Sequence, residues 1–279
     1  MPEWSNGPGL GPGGLGLRGF EPRPLHSFSL IMDGNNTKDI VRKKYSAIAS
    51  APSPCSCCQP SACKSKDVMS EIGYSSEELS NVPEAALGLG CGNPTAFAQI
   101  QEGDTVIDFG CGAGIDCFLA SKKTGETGRV IGIDMTPAMI DKSKEFAEKY
   151  DYSNCEFILA DIEDILLPDD SADVIISNCV INLAPSKEKV FSETYRLLKP
   201  HGRLVASDMV LTRELTESQR NDPDLIAGCV GAAILRDDYL DLIKAAGFSS
   251  VKIVSENKDI SKSQYQAMPV LSLRYIAEK

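Results

Sequence analysis

The sequence has few histidines and no candidate general base among them. Its 279 residues contain two histidines. His26 lies in a segment rich in Gly and Pro, and His201 lies in a Lys-Pro-His-Gly turn. Neither has a catalytic context. The sequence therefore gives no support for a hydrolase of the Ser–His–Asp or zinc type.

The sequence also lacks long apolar runs and an excess of basic residues. No run approaches the ~20 apolar residues of a membrane span, and Gly and Pro interrupt the first residues where a signal peptide would be apolar. Lysine and arginine number 28 against 39 acidic residues, a net charge of −11. Phosphate contacts need basic side chains. We therefore expect a cytoplasmic protein that binds neither nucleic acid nor a membrane.

Cysteine, in contrast, is abundant, with ten residues. In a reducing compartment these residues should be thiols, so metal binding or catalysis competes with simple burial as their role. We expect roughly half of them to be small buried hydrophobes, because cysteine is often found inside proteins without a chemical role.

Composition predicts three regions along the chain. Residues 1–37 hold 8 Gly and 5 Pro and are predicted to be a disordered extension. Residues 38–94 are predicted to form a helical, cysteine-rich cap, with an amphipathic helix over 38–50 and a cluster of Cys55, Cys57, Cys58 and Cys63. Residues 95–279 are predicted to form the main domain, which an insertion at about 209–235 interrupts.

Short apolar segments alternate with helical ones in the main domain, which predicts an α/β fold. The alternation indicates a Rossmann-like, mostly parallel seven-stranded sheet with helices on both faces. The predicted strands are Thr105–Phe109, Arg129–Ile133, Cys155–Ala160, Asp173–Ser177, Arg203–Ser207, Val251–Val254 and Leu271–Ile276. Ligands bind such sheets at the carboxyl ends of the strands, and the insertion should lie over that edge.

A glycine-rich turn follows the first strand and precedes a helix. Gly110, Gly112 and Gly114 allow a tight turn and a close approach of the backbone to a ligand. Asp134 ends the second strand, where a carboxylate can accept both hydroxyls of a ribose. A glycine turn that serves only helix–sheet packing is the plain alternative, and the placed acids argue against it.

Two cofactors fit this geometry, a dinucleotide and S-adenosylmethionine. A dinucleotide site needs a third glycine at a spacing that is missing here. Asp108, two residues before the first glycine, can face an ammonium group, and Asp161 ends the third strand, where it can accept the adenine amino group. Together these residues favour S-adenosylmethionine.

Three cysteines occupy positions outside the expected core strands. Cys91 precedes the first strand, Cys179 follows the fourth, and Cys229 lies in the insertion. All three should meet at the carboxyl edge of the sheet, where three thiols suit a soft, three-coordinate centre. Their spacing does not supply the paired ligands of a zinc site. Each alone would more often be a buried small side chain, the role that we assign to Cys111, Cys117 and Cys155.

Several segments together resemble the arsenite S-adenosylmethionine methyltransferases. The resemblance runs from about Asp39 to Val254. The segments that carry it are Asp108-Phe-Gly-Cys-Gly-Ala-Gly-Ile-Asp-Cys117, Val130-Ile-Gly-Ile-Asp-Met-Thr136, Ile175-Ile-Ser-Asn-Cys-Val-Ile-Asn-Leu183, Tyr195-Arg-Leu-Leu-Lys-Pro200, Arg203-Leu-Val-Ala-Ser-Asp208 and Gly228-Cys-Val-Gly231. The Ser-Asn-Cys-Val-Ile-Asn part is the distinctive one, since the glycine loop marks class I methyltransferases in general.

The resemblance implies a class I methyltransferase fold and a site for each substrate. Cys91, Cys179 and Cys229 would be the catalytic residues that bind As(III), with Cys58 or Cys63 as a further thiol. Met135 would pack on the adenine of S-adenosylmethionine, Asp161 and Ile162 would contact its edge, and Asn178 would join them in the cofactor site. Glutathione or thioredoxin would serve as reductant. In a departure from longer members, which carry a C-terminal domain, no cysteine follows Cys229.

Two other functions remain open on the sequence. One is a class I methyltransferase for a small organic acceptor, with the cysteines in structural roles. The other is a metalloid-binding protein without turnover.

Overall fold

Residues 34–51, 68–257 and 268–279 are described by the computed structural model. The cluster of Cys55, Cys57, Cys58 and Cys63 lies outside them, as does most of the extension predicted over 1–37.

Seven strands form a single sheet, in the order β3-β2-β1-β4-β5-β7-β6. The strands are β1 (Thr105–Phe109), β2 (Arg129–Asp134), β3 (Cys155–Leu159), β4 (Ala172–Asn178), β5 (Leu198–Leu211), β6 (Ser250–Asn257) and β7 (Val270–Glu278). The first five pair in parallel, and β7 runs antiparallel to both of its neighbours. The prediction of a mostly parallel seven-stranded sheet is confirmed.

Helices cover both faces of the sheet because its strands are apolar on both sides. In β1, Val106 packs with Phe118 on one face, and Ile107 packs with Phe191 and Tyr239 on the other. The helices are α1 (Gly34–Ser50), α2 (Ser76–Asn81), α3 (Ile115–Thr124), α4 (Pro137–Lys149), α5 (Lys187–Leu197), α6 (Glu217–Arg220), α7 (Pro223–Ala227) and α8 (Arg236–Ala245). The first face therefore carries α3 and α4, and the second carries α5 and α8.

Two predicted elements have an end that lies four or more residues from its observed place, whereas the other strands differ by at most three residues. Strand β5 is predicted over Arg203–Ser207 but spans Leu198–Leu211, and so enters the range predicted as insertion. Its C-terminal extension follows from pairing with β7, which runs from Arg203–Glu278 to Leu211–Val270, and its N-terminal end pairs with β4 at Leu198–Ala172. Helix α1 begins at Gly34, inside the range predicted as disordered.

Helix α1 lies across the carboxyl edge of the sheet, against α4 on one side and α7 on the other. The described ranges contain no helix with the length and apolarity that crossing a membrane requires.

Candidate functional site

The loop between β1 and α3 is a tight turn built on glycine. Gly110 and Gly112 adopt positive φ angles of 67° and 53°. The Gly110 N–H donates to Ile133 O at 2.7 Å, and the Gly112 N–H donates to Asp134 Oδ2 at 3.0 Å. A Cβ at Gly110 would lie 2.1 Å from Val180 Cγ2. The turn therefore needs glycine for its conformation and for its contact with the segment after β4.

A cleft opens beside this loop at the carboxyl ends of β1, β2 and β4. The structure brings most of the predicted cofactor residues to its wall, together with one predicted catalytic cysteine: Gly110, Gly112, Asp134, Met135, Asp161, Ile162, Asn178 and Cys179. Asp134 is 8% exposed, and burial raises the pKa of its carboxyl while hydrogen bonds from Thr136 N–H and Gly112 N–H oppose that shift. The wall thus carries two acidic side chains, Asp134 at the end of β2 and Asp161 after the end of β3.

Two predicted cofactor residues do not line the cleft. Gly114 caps the N-terminus of α3, where a Cβ would lie 2.8 Å from the Phe118 ring. Asp108 is buried below the loop, and the Cys117 thiol donates to its Oδ2 at 3.2 Å. Burial raises the pKa of the Asp108 carboxyl well above its usual range. The structure therefore places these two residues where they support the loop.

The sequence reasoning did not single out Asp116 and Tyr74, which also line the cleft. The Tyr74 hydroxyl donates to Asp116 Oδ1 at 2.7 Å. Burial raises the pKa of the Asp116 carboxyl to about 6, although hydrogen bonds from Tyr74 and Asn178 lower it. Asp116 comes two residues after Gly114 of the glycine loop, and this position was the available signal. Tyr74 is distant in sequence and carried none.

Helix α1 also contributes to the cleft, at the end where Asp161 lies. Lys38 Nζ lies 2.6 Å from both Asp161 Oδ2 and Glu163 Oε2. Val41 and Tyr45 of the same helix join the lining. The helix therefore covers the part of the cleft in which sequence reasoning places an adenine.

The three predicted metalloid-binding cysteines come together at the far end of the cleft. Cys91, Cys179 and Cys229 belong to one buried cluster, and each is at most 5% exposed. The Cys229 thiol donates to Cys179 O at 3.2 Å. Of the three, Cys179 also lines the cleft. The sulfur cluster and the cleft therefore share a residue.

The expectation that all the cysteines are thiols is wrong for Cys91 and Cys179, which form a disulfide with a Cα–Cα distance of 5.9 Å. The two cysteines are 88 residues apart in sequence, so no local pattern indicated the bond. The disulfide forms because two loops converge at the carboxyl edge of the sheet. With Cys91 and Cys179 oxidised to a disulfide, Cys229 is the member of the three-cysteine cluster that remains a thiol. Accordingly, the described residues contain no group of three or more His, Cys, Asp or Glu side chains able to hold a metal ion.

Asn178 ties the Cys91 loop to the end of β4. Its Oδ1 accepts from the N–H groups of Cys91 and Gly92, at 3.0 and 3.2 Å, and its Nδ2 donates to Gly92 O at 2.7 Å. A Cβ at Gly90 would lie 2.5 Å from this amide. Asn178 thus lines the cleft, as predicted for a cofactor residue, and also holds the Cys91 loop.

A buried polar network lies behind the cysteines. Asp208 is 0% exposed and accepts from the Tyr239 hydroxyl at 2.7 Å. The Asn182 N–H lies 3.4 Å from its other oxygen. Burial raises the pKa of the Asp208 carboxyl to about 7, against these hydrogen bonds and the charge of Lys187. Asp208 therefore takes up a proton in the folded protein well above its ordinary pKa.

This raised pKa predicts a pH dependence of stability. Between the ordinary value of 3.8 and about 7, folded Asp208 holds a proton that the unfolded chain has lost. Its contribution to the free energy of unfolding is thus largest at low pH and is lost as pH rises through that window. We expect Asp208→Asn to remove one proton's worth of slope, about 1.4 kcal/mol per pH unit. Urea unfolding at several pH values measures it.

The matched control is Asp241→Asn, because the Asp241 side chain is 72% exposed. This variant should keep the wild-type slope. An Asp208→Asn slope equal to that of the wild type between pH 4 and 7 would contradict the buried, protonated carboxyl.

Comparison with known proteins agrees with this architecture. A methyltransferase-domain family matches residues 100–247. The chain is 41% identical to the arsenite methyltransferase of Halobacterium salinarum over 239 residues, 81% of this chain and 61% of the relative. It is 36% identical to the human arsenite methyltransferase over 192 residues, 65% of this chain and 51% of the relative. The chain thus spans about half to three fifths of the length of these curated relatives.

A solved structure gives the same result. The arsenic(III) S-adenosylmethionine methyltransferase of Chlamydomonas reinhardtii superimposes with a TM-score of 0.59 and 32% identity. The match covers 79% of this chain and 74% of that one. The predicted class I methyltransferase fold is confirmed, and the chain belongs to the arsenite S-adenosylmethionine methyltransferase family.

Proposed function

We propose that the protein transfers methyl groups from S-adenosylmethionine to As(III) held by Cys91, Cys179 and Cys229, and so yields methylated arsenicals. One observation carries this proposal. Cys179 lies both on the wall of the cleft and in the sulfur cluster. A cofactor in the cleft and a metalloid on the cysteines would therefore be neighbours.

The cleft fits S-adenosylmethionine by the chemistry of its wall. Asp134 would accept the ribose hydroxyls, Met135 would pack on the adenine, and Asp161 with Ile162 would contact the adenine edge. A Cβ at Gly112 would meet no atom within 4 Å, so the loop leaves open space in front of it. When bound, S-adenosylmethionine supplies an electrophilic methyl group on a sulfonium sulfur.

The cysteines fit As(III) once they are reduced. Two small thiols, or one reduced thioredoxin, would convert the Cys91–Cys179 disulfide to two thiols and become a disulfide themselves. The three cysteine thiols can then replace the three hydroxyls of arsenous acid and release three water molecules. Thiolate-bound As(III) keeps a lone pair and carries no proton at the nucleophile. The reaction therefore needs no general base, and no histidine stands among the described residues that line the cleft.

We also propose a cellular location and a biological role for the reaction. A cytoplasmic location would supply glutathione or thioredoxin as reductant. Detoxification of arsenic would be the purpose of the activity.

The test is a methylation assay with the full chain, S-adenosylmethionine and As(III). We expect methylated arsenic, read by mass spectrometry, in the presence of excess glutathione and none in its absence, because the disulfide removes two of the three thiols. If S-adenosylmethionine binds but no methylated arsenic forms with glutathione present, the substrate is an organic acceptor. If S-adenosylmethionine does not bind, a metalloid-binding role without turnover takes its place.

A further inference from the structure

Asn182 connects two of the three cysteine-bearing segments. It lies in a 3-10 turn, Ile181–Leu183, three residues after Cys179, and is fully buried. Its side-chain Nδ2 donates to Cys229 O in the insertion. The Cys229 thiol in turn donates to Cys179 O at 3.2 Å. These two hydrogen bonds join the segment after β4 to the insertion on both sides of the sulfur cluster.

The two connected cysteines have backbones that need such support. Cys179 and Cys229 adopt φ angles of 62° and 67°. The left-handed region is unfavourable for a residue with a Cβ, so it persists only where the surrounding structure holds it. The Cys179 N–H donates to Ser207 O at 2.7 Å, and Asn182 holds the carbonyl of Cys229. Each strained cysteine is thus fixed by a hydrogen bond to its own peptide groups.

The hydrogen bonding of Asn182 is incomplete. Its Oδ1 is buried and has no hydrogen-bond partner among the described residues. A buried amide with an unpaired oxygen is a poor choice for stability alone, since an apolar side chain of similar volume would avoid the desolvation cost. This residue therefore points to a requirement for the hydrogen bond that its Nδ2 donates.

We propose that Asn182 is a positioning residue that sets the place of the Cys229 thiol relative to Cys179 and Cys91. In this way it governs the affinity of the reduced protein for As(III). The inference rests on the proposed function, since it concerns the same three sulfurs. It goes further in assigning the geometry of the site to a side chain that touches neither As(III) nor the cofactor.

The experiment compares the reduced full chain with Asn182→Leu, which keeps the volume and removes the donor. The dissociation constant for As(III) is measured by equilibrium dialysis, and the number of As–S bonds is measured by X-ray absorption. S-adenosylmethionine binding is followed by calorimetry. We expect As(III) binding about tenfold weaker, the value of one hydrogen bond, and fewer than three As–S bonds. Binding of S-adenosylmethionine should not change.

The matched control is Asn154→Leu, because Asn154 Nδ2 also donates to a backbone carbonyl, Gly125 O at 2.9 Å, outside the cluster of Cys91, Cys179 and Cys229. It should leave both ligands unaffected. If Asn182→Leu does not fold, Asn182→Ser takes its place, because serine is smaller and lacks the amide that donates to Cys229 O. The inference is overturned if the wild type binds As(III) and the variant at position 182 binds it with the same dissociation constant. Failure of the wild type to bind As(III) overturns the proposed function itself.

Discussion

Replacement of Cys179 by serine is expected to abolish methylation of As(III) while S-adenosylmethionine still binds. A serine hydroxyl is a hard ligand that stays protonated at neutral pH, whereas As(III) is soft and prefers thiolates. Of the three clustered cysteines, Cys179 is also the one that lines the cleft. We expect a fall of at least about 100-fold, since loss of even an indirect partner of a metal ligand costs up to that much. Mass spectrometry of methylated arsenic with excess glutathione measures it.

The control for this variant is Cys155→Ser, which changes a thiol that lies outside the sulfur cluster. It should retain methylation. Calorimetry with S-adenosylmethionine shows whether the cleft survives in Cys179→Ser. Full arsenic methylation by that variant would contradict the assignment of the three cysteines and would return them to a packing role.

Replacement of Asp134 by alanine is the second large effect and concerns the cofactor. The Asp134 carboxylate accepts from Gly112 N–H at 3.0 Å and from Thr136 N–H at 2.8 Å. Its loss would remove the expected ribose acceptor and one anchor of the glycine loop. Hydrogen bonds to a charged group contribute about 1.5–3 kcal/mol each, so the dissociation constant of S-adenosylmethionine should rise by about 100-fold. Calorimetry measures that constant directly.

Asp173→Ala provides the comparison, since Asp173 also accepts from a backbone N–H, that of Thr105 at 2.8 Å, but at the opposite edge of the sheet. Its variant should bind S-adenosylmethionine normally. As(III) binding by reduced Asp134→Ala should also stay normal, because the cysteines remain in place. Unchanged binding of S-adenosylmethionine by Asp134→Ala would exclude this carboxylate from the cofactor site.

Much of the fold could be predicted because its signals are local. Strand β1 is predicted and observed over Thr105–Phe109, since an apolar run ends in glycine. The C-terminal end of strand β5 could not be predicted, because it depends on pairing with β7, about 60 residues away. Pro200 and Gly202 in its first part also looked like a turn.

The residues of the candidate site could also be predicted only where their signals are local. Asp134 could be placed on the cleft because it follows a strand directly. Tyr74 could not, because it meets Asp116 only through the tertiary fold, at a sequence separation of 42. The Cys91–Cys179 disulfide was not predicted. The cysteine content of a sequence indicates a redox compartment, but it does not give the distance between two sulfurs.

The position of β7 has a consequence for how the chain is made. Among the described residues strand β6 pairs with β7 alone, and β7 lies between β5 and β6 in the sheet. During synthesis β6 therefore leaves the ribosome before the strand that must receive it. Strands β1 to β5 emerge first, and their pairing with one another needs neither β6 nor β7. The edges of β5 and β6 must wait unpaired until residues 270–278 arrive, and this interval is when the nascent chain is most exposed to aggregation through those edges.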